Sequence, residues 1–374
     1  MANTFLTVNE IAKESVMRLN NNLVMAGLVH RDFSSEFADK GDTIQVKKPA
    51  TFVAKDFTDA IEVQNIEEDS ALVKLDKIAD VSVEVTSKQL SLNIRDFGEQ
   101  IVQPAMEALA QKIDTDIMGL YADIPYTFGA AGSTPDALDD IAGVGKVLNT
   151  NKAPVVGRGL VLDPEAQAAL IVLDAIAGAD KSGSTQALRE ASMGRILGFD
   201  TFMSQNVQTH TKGTIAKTVG TLVTTALKGA TSITIEDNGV SGAVTGTLKK
   251  GDILTIADVA GQYVVTEDAA VDETTDKITA KIYPALAAAA TAKAVTLVGS
   301  NVSNLGFHKN AFALVTRPQE LPMGGADGYI ANYNGLPVRV TMGYTMSSKI
   351  NTISFDILYG VKTLTQELAC RLLG

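Results

Sequence analysis

The strongest periodic pattern in the chain predicts one long amphipathic helix. Between Asn93 and Tyr121, apolar residues recur every three or four positions, which is the spacing of one face of an α-helix. The apolar positions of this face are Ile94, Phe97, Ile101, Ala105, Leu109, Ile113, Ile117 and Leu120. Charged residues such as Asp114 fall mostly on the opposite face. Pro104 lies inside the pattern, so we predict a kink near Ile101.

The segment before this helix predicts a terminal helix and then an extended hairpin. Residues 7–28 carry a loose helical stripe, which fits either an ordinary surface helix or an arm that packs on a neighbouring subunit. Thr43–Lys47 and Ala79–Thr86 alternate between polar and apolar side chains, as half-buried strands do. A two-stranded arm cannot bury its own faces. The hairpin therefore lies on its own body or reaches a neighbour.

The loop between these two strands is acidic. Residues 56–70 contain six acidic residues and neither lysine nor arginine. Two lysines near the base of the hairpin are positioned to pair with an acidic tip from another subunit, although single surface pairs are weak. The predicted inter-subunit contact residues are Lys47, Lys48, Asp56, Asp59, Glu62, Glu67, Glu68 and Asp69. A solvated loop without a partner is the alternative.

After the long helix, the pattern predicts compact α/β structure with a separate β unit inserted into it. Residues 211–298 are rich in Thr, Ala, Val and Gly, and short alternating runs such as Ser232–Glu236 and Lys277–Ile282 recur between glycine turns. Several short strands at even spacing predict a small barrel or sandwich. Alternation of helix and strand patterns resumes after residue 300.

Composition and charge narrow the class of protein. The 374 residues carry a formal net charge of −11, which argues against a protein that holds DNA by neutralising phosphates. The apolar runs are too short or too interrupted to span a bilayer, and we expect no membrane partner. The single cysteine, Cys370, is predicted to be buried in the last strand or helix.

A search for catalytic chemistry finds little. His30, His210 and His308 lie far apart in sequence, and none stands at metal-ligand spacing from a cysteine or carboxylate. The nearest approaches to phosphate-loop, dinucleotide and calcium motifs each lack required positions. We therefore predict no catalytic, cofactor-binding or metal site, and favour a structural or binding protein over an enzyme.

Taken in order, these parts resemble the major capsid proteins of tailed bacteriophages, which have the Hong Kong 97 fold. The runs Lys249–Val259, Gly194–Ser204 and Lys281–Leu286 are similar to the coat proteins of short-tailed Salmonella phages, which have an inserted β-domain. The resemblance implies an α+β fold in seven segments, two of which form one axial domain. They are an N-terminal arm (1–36), an E-loop hairpin (37–92), a spine helix in the peripheral domain (93–133), an axial domain (134–210 and 301–335), an inserted β-domain (211–300) and peripheral strands with the C-terminus (336–374).

The resemblance also implies a function. The chain is expected to form hexamers and pentamers of an icosahedral shell that encloses double-stranded DNA without sequence-specific binding. A separate scaffolding protein and a portal are the implied partners. The protein is expected in the virion, after synthesis in the cytoplasm of the bacterial host. No position matches the Lys–Asn–Glu set of the family's type member, so we predict no covalent crosslink.

Two other classes of protein remain open at this stage. A surface-binding adhesin would use residues 211–300 as its ligand module, but that unit has two tyrosines and no tryptophan for stacking on sugars. An enzyme would need a site assembled from residues that are distant in sequence.

Overall fold

The computed structural model describes residues 8–31, 43–47, 70–86, 101–178, 186–239, 242–322, 327–333, 335–346 and 350–374. The chain divides into two compact units. The first unit comprises Met1–Ile117 and Phe312–Leu364, and the second comprises Met118–Ala311 and Thr365–Gly374. Among the described residues, no helix is long and apolar enough to cross a membrane.

The helices and strands alternate unevenly along the chain. The helices are α1 Val8–Asn22, α2 Met25–Leu28, α3 Gln103–Met118, α4 Leu138–Thr150, α5 Pro164–Ile171, α6 Asp174–Ala177 and α7 Gln186–Glu190. Short 3₁₀ helices span Gly119–Asp123, Lys309–Ala311 and Gln366–Leu368. The strands are β1 Thr43–Lys47, β2 Ser70–Lys74, β3 Lys77–Thr86, β4 Thr127–Phe128, β5 Arg158–Leu162, β6 Arg195–Ile196, β7 Phe199–Met203, β8 Thr209–His210, β9 Ala216–Lys217, β10 Leu222–Ala226, β11 Ser232–Asp237, β12 Val244–Thr245, β13 Thr247–Leu248, β14 Ile253–Ile256, β15 Val259–Val265, β16 Ala269–Asp272, β17 Lys277–Tyr283, β18 Ala290–Leu297, β19 Asn301–His308, β20 Phe312–Arg317, β21 Asp327–Tyr333, β22 Leu336–Thr345, β23 Ile350–Thr363 and β24 Ala369–Leu373.

The first unit is built around a five-stranded antiparallel sheet. Its central strand, β23, pairs with β3 over ten residues and also with β20 and β22, while β21 pairs with β22. Helix α1 packs on β21 and β22 with a buried apolar face. The terminal helix therefore covers a sheet of its own unit, as an ordinary surface helix does. The predicted helix 7–28 is in fact two helices, α1 and α2.

The predicted hairpin is wrong in its second strand. Thr43–Lys47 pairs with Ser70–Lys74, whereas the alternating run 79–86 lies within β3 and pairs with β23. Alternation marks a half-buried strand but does not specify its partner. Strand β23 is long enough to pair with β3 along its whole length, so β3 joins the sheet.

The long helix is described from Gln103 to Met118, and residues 93–100 of the prediction lie outside the described residues. Ile101 and Val102 are π-helical, just before Pro104. This local distortion accommodates the proline, which has no backbone N–H to donate. The predicted apolar positions in α3 are buried, namely Ala105, Leu109, Ile113 and Ile117. Asp114 is buried as well, contrary to the prediction that it faces solvent.

The second unit contains a seven-stranded mixed sheet and a barrel. The sheet runs β4-β24-β19-β5-β7-β6, with β8 also paired to β19. Helix α4 packs on this sheet through a core that includes Ile141, Leu160, Phe199 and Cys370. Cys370 is completely buried in the last strand, as predicted, and burial raises the pKa of its thiol.

The inserted unit is a closed barrel. Strands β11, β10, β18, β14, β15 and β17 pair in that order, and β17 pairs again with β11. Its core includes Ile235, Leu254, Tyr263 and Ile278. The sequence predicted a small barrel or sandwich here, and the structure shows the barrel; strand β10, whose run of small and polar residues alternates weakly, was not predicted.

Strand pairing also differs from the predicted domain limits. Strands β20 and β21 were placed with the axial segment 301–335, but they pair in the sheet of the first unit. Strand β24 was placed with the peripheral segment 336–374, but it pairs with β19 and β4 in the second unit. Partners that are distant in sequence cannot be assigned from local patterns, so the seven-part division stays a prediction.

Candidate functional site

The residues predicted to contact other subunits fall almost entirely outside the described part of the chain. Lys47 is the last residue of β1, where its backbone pairs with Ser70. The others lie outside the described residues: Lys48, Asp56, Asp59, Glu62, Glu67, Glu68 and Asp69. Their role remains a prediction.

A buried polar cluster lies in the second unit, where the inserted barrel meets the seven-stranded sheet. We call Tyr121, His210, Asp252 and Arg371 the junction cluster. Sequence analysis assigned none of these residues to a site. His210 is isolated in the sequence from other potential ligands, and Asp252 ends the run Lys250-Gly251-Asp252, which has the composition of a turn. They meet because β8 and β24 both pair with β19 in the folded sheet.

Asp252 is the main acceptor of the junction cluster. It is 2% exposed and directly precedes β14. Its carboxylate accepts hydrogen bonds from the backbone N–H of Gly213, at 3.0 and 3.1 Å, and of Lys249, at 2.8 Å. A glycine is needed at 213, since a Cβ there would lie 2.7 Å from Oδ2 of Asp252. The carboxylate thereby fixes the first linker of the insert against the turn before β14.

His210 connects Asp252 to the residues that follow the long helix. Its Nε2 lies 2.8 Å from Oδ1 of Asp252, and its Nδ1 lies 3.1 Å from the hydroxyl of Tyr121. Strand β8, which carries His210, pairs with β19 at Asn301. Both ends of the insert therefore leave the sheet beside this imidazole.

Arg371 is fully buried in β24 and reaches across to the barrel. Its Nη1 donates to the carbonyl oxygen of Gly251 at 2.9 Å, and its guanidinium carbon lies 5.1 Å from the ring centroid of Tyr121. Such a cation–π contact stabilises a desolvated guanidinium. Burial lowers the pKa of Arg371 to about 10, while Tyr121, Asp123 and Asp252 favour its charged form. The group still carries a proton near neutral pH.

Further polar contacts join the barrel to the rest of the second unit. The side-chain oxygen of Gln262 accepts from both the backbone N–H and the hydroxyl of Thr127, at 2.8 and 2.9 Å. The hydroxyl of Tyr283 donates to Glu367 at 2.6 Å. Burial and the neighbouring Glu367 raise the pKa of Tyr283. The barrel is thus fixed to the sheet by oriented polar contacts as well as by its covalent linkers.

The chemistry of the junction cluster is that of a structural contact. A carboxylate, an imidazole and a hydroxyl in line have the order of a catalytic relay, but His210 and Asp252 are enclosed. Two surface pockets of the second unit, one beside Met193 and one beside Lys146, are lined by other side chains. No group of potential metal ligands occurs among the described residues.

A second cluster joins α3 to the sheet of the first unit. Asp116 accepts from the hydroxyl of Tyr359 at 2.6 Å and from Lys112 at 3.0 Å, and Lys77 lies 3.3 Å away. Burial raises the pKa of Asp116, but the hydrogen bonds and the charge of Lys77 outweigh it and hold the pKa below its usual value. The helix is therefore held to β3 and β23 by a charged acceptor.

Replacing Tyr359 by phenylalanine removes the donor without changing the packed ring. Since hydrogen bonds to charged groups contribute ~1.5–3 kcal/mol, we expect a loss of about that size in the free energy of unfolding. Urea denaturation of the purified protein measures it. The control is Tyr344→Phe, a half-exposed tyrosine of the same sheet, which should change little. Equal stabilities for Tyr359→Phe and the wild type would contradict the role given to this bond.

The described residues thus combine helix α3, a five-stranded sheet, a seven-stranded sheet and an inserted barrel. The chain belongs to the P22 coat protein family, since the family described as P22 coat protein, gene protein 5, matches residues 1–279. It is a major capsid protein and a component of the virion.

Solved structures similar to the chain come from several sources. Mycobacterium phage Che8 shares 16% identity, with 93% of this chain and 90% of that one covered and a TM-score of 0.49. The capsid of Ralstonia phage GP4 shares 11%, with 90% and 83% covered and a TM-score of 0.45. A virus-like particle from Pyrococcus furiosus shares 10%, with 97% of both covered and a TM-score of 0.38. Comparison with curated proteins gave no match. The family assignment therefore rests on the match of the family model to residues 1–279, and these solved structures carry none of it.

Proposed function

We propose that this coat protein assembles through hexamers and pentamers into an icosahedral shell that encloses the double-stranded DNA of a tailed phage. Membership of the P22 coat protein family supports the proposal most directly. The net charge of −11 is compatible with a wall that surrounds DNA without binding it tightly. The protein's role is structural, and it uses no cofactor.

Assembly is proposed to need two further kinds of protein. The resemblance to the coat proteins of short-tailed Salmonella phages supports a separate scaffolding protein and a portal. Synthesis would take place in the host cytoplasm. Co-expression with the neighbouring genes tests this requirement, since shells of uniform size should form only when the scaffolding protein is present. Uniform shells from the coat protein alone would contradict it.

The acidic segment 56–69 is proposed to contact a neighbouring subunit. Charge reversal by Glu67→Lys, Glu68→Lys and Asp69→Lys is expected to reduce shell formation at least roughly tenfold, because close charge pairs at interfaces contribute more than 1 kcal/mol each. Sedimentation separates shells from free subunits. The folded subunit should be unaffected, with an unchanged circular dichroism spectrum.

A matched control reverses three acidic residues outside the segment. Glu165→Lys, Glu190→Lys and Glu273→Lys alter three exposed acids of the second unit by the same total charge. This control should assemble far better than the segment variant. Normal shells from the segment variant would contradict the contact, and equal losses in both variants would show that net charge alone is responsible.

A further inference from the structure

A groove on the second unit is lined by one face of α4, by the loop that follows this helix and by the turn between β6 and β7. Its volume is about 650 Å³, within the range of small-molecule sites, which is roughly 300–1,000 Å³. None of the described residues that line it is acidic. The lining residues that determine its chemistry are Lys146, Asn149, Val155, Arg158 and Leu197.

Arg158 is held in a fixed position at this groove. It is the first residue of β5 and only 4% exposed. Its Nε donates to the carbonyl oxygen of Pro154 at 2.7 Å, and its Nη2 donates to the carbonyl oxygen of Ala153 at 2.7 Å and to Oδ1 of Asn149 at 2.8 Å. Nη1 makes no hydrogen bond within the described part of the chain. One oriented nitrogen is therefore left for a ligand.

The charge of Arg158 has no anionic partner among the described residues. Its three acceptors are neutral, and it forms no ion pair there. The ring centroid of Phe199 lies 6.0 Å from its guanidinium carbon, a weak cation–π contact. Burial lowers the pKa of Arg158, but an arginine stays charged near neutral pH. Since buried charges are normally paired, a bound anion would supply the partner that this guanidinium lacks.

Two further donors line the same groove. Asn149 is exposed, and because its Oδ1 accepts from Arg158, its Nδ2 makes no hydrogen bond within the described residues. Lys146 is exposed one helical turn earlier, and it too forms no ion pair with the described residues. The carbonyl oxygens of Val147 and Asn149, at the negative end of the helix dipole, already accept from backbone N–H groups of the following loop at 3.1 and 3.0 Å. An oxyanion would therefore meet donors in this groove.

Aliphatic side chains complete the groove. Val155 and Leu197 are 61% and 58% exposed. An inorganic anion would leave both uncovered, whereas a ligand with an apolar or flat aromatic body would remove them from water. The groove thus suits an anion that carries such a body.

We propose that this groove binds a small phosphate monoester with an aromatic body, of the mononucleotide class. The phosphate would accept from Nη1 of Arg158, Nδ2 of Asn149 and the ammonium group of Lys146, and the base would lie on Val155 and Leu197. Arginine suits this ligand because its charged N–H groups form strong hydrogen bonds to phosphate oxygens. The inference goes beyond the proposed function and does not depend on shell assembly.

The groove suits a mononucleotide better than duplex DNA. The bases of a duplex are stacked inside it, so its backbone phosphates would reach the donors while Val155 and Leu197 stayed uncovered. A chain of charge −11 also repels DNA at long range. Binding of DNA is accordingly an outcome that the experiment must separate.

Isothermal titration calorimetry of AMP into the full-length unassembled protein tests the site. AMP should bind, adenosine should give no measurable binding, and inorganic phosphate should bind roughly tenfold more weakly than AMP. Lys146→Gln should weaken binding of AMP roughly tenfold, as loss of a hydrogen bond to a charged group does. The matched control is Lys228→Gln, which makes the same charge change at an exposed lysine of the barrel and should leave the affinity unchanged.

Val155→Ser separates the two parts of the site. This variant should weaken binding of AMP roughly threefold and leave binding of inorganic phosphate unchanged, because only the base covers the side chain. Lys146 and Val155 are both exposed, so neither change should disturb folding. Urea denaturation of each variant checks that it is as stable as the wild type.

Several results would overturn the proposal. Absence of binding at about 1 mM AMP would do so, since the site would then have no useful affinity. Equal affinities of Lys146→Gln and the wild type, or equal losses in Lys146→Gln and Lys228→Gln, would show that the groove is not the site. Binding of a short DNA duplex that AMP does not displace would assign these donors to nucleic acid instead. Absence of shells from the wild-type protein would refute the proposed function and leave the groove to be decided by AMP.

Discussion

Replacement of Asp252 by alanine is expected to lower the free energy of unfolding of the protein by ~3–5 kcal/mol, as removal of one partner from a buried charged network does. The substitution leaves the backbone N–H groups of Gly213 and Lys249 without their acceptor and removes the partner of His210 Nε2. Each unsatisfied buried group costs about 1–3 kcal/mol. The barrel should also lose its fixed position on the sheet.

Two further variants separate this effect from a general loss of charge. Asp252→Asn keeps the shape of the side chain and one acceptor oxygen. It should therefore lower the free energy of unfolding by less than Asp252→Ala does. Glu273→Ala removes an exposed acid of the same barrel and should change stability by less than about 0.5 kcal/mol. Urea denaturation gives the stabilities, and hydrogen exchange at residues 209–213 reports the linker. If Asp252→Ala and Glu273→Ala are equally stable, the junction cluster does not hold the barrel.

Replacement of Asp114 by alanine is expected to destabilise the first unit by ~2–3 kcal/mol at neutral pH. Asp114 is 1% exposed in α3, and its two oxygens accept from the backbone N–H of Val24 at 2.9 Å and of Met25 at 3.1 Å. These are the donors at the start of α2, which have no partner within the helix. Alanine would leave both without an acceptor.

The effect of Asp114 should depend on pH in a defined direction. Burial raises the pKa of Asp114 from 3.8 to about 6, although the backbone donors oppose the rise. A raised folded-state pKa means that the folded protein binds the proton more tightly than the unfolded chain does. The stabilisation is therefore complete below pH 3.8 and is lost as the pH rises through about 6.

Denaturation of the wild type and Asp114→Ala between pH 4 and pH 7 checks this direction. The difference in stability should be larger at pH 4 than at pH 7, by up to roughly 3 kcal/mol, since one pKa unit corresponds to about 1.4 kcal/mol. A difference that grows with rising pH would contradict the account of Asp114.

The sequence predicted those features of the fold that local periodicity determines. The buried face of α3 follows from a spacing of three and four residues, and the barrel follows from short strands between glycine turns. Each of these signals lies within a few residues.

Long-range pairing and the junction cluster had no such signal. The partner of β3 lies at β23, and Arg371 reaches Gly251 across 120 positions of the sequence. A buried carboxylate such as Asp114 or Asp252 looks like any surface acid until its backbone donors are located.

The central claim, that this chain builds a capsid, is tested most directly by electron microscopy of negatively stained protein. The protein would be expressed alone and with the products of its neighbouring genes. The account predicts closed shells in the co-expressed sample, with tubes or rings of five and six subunits also expected from the protein alone. A monodisperse monomer or dimer under every condition would contradict it.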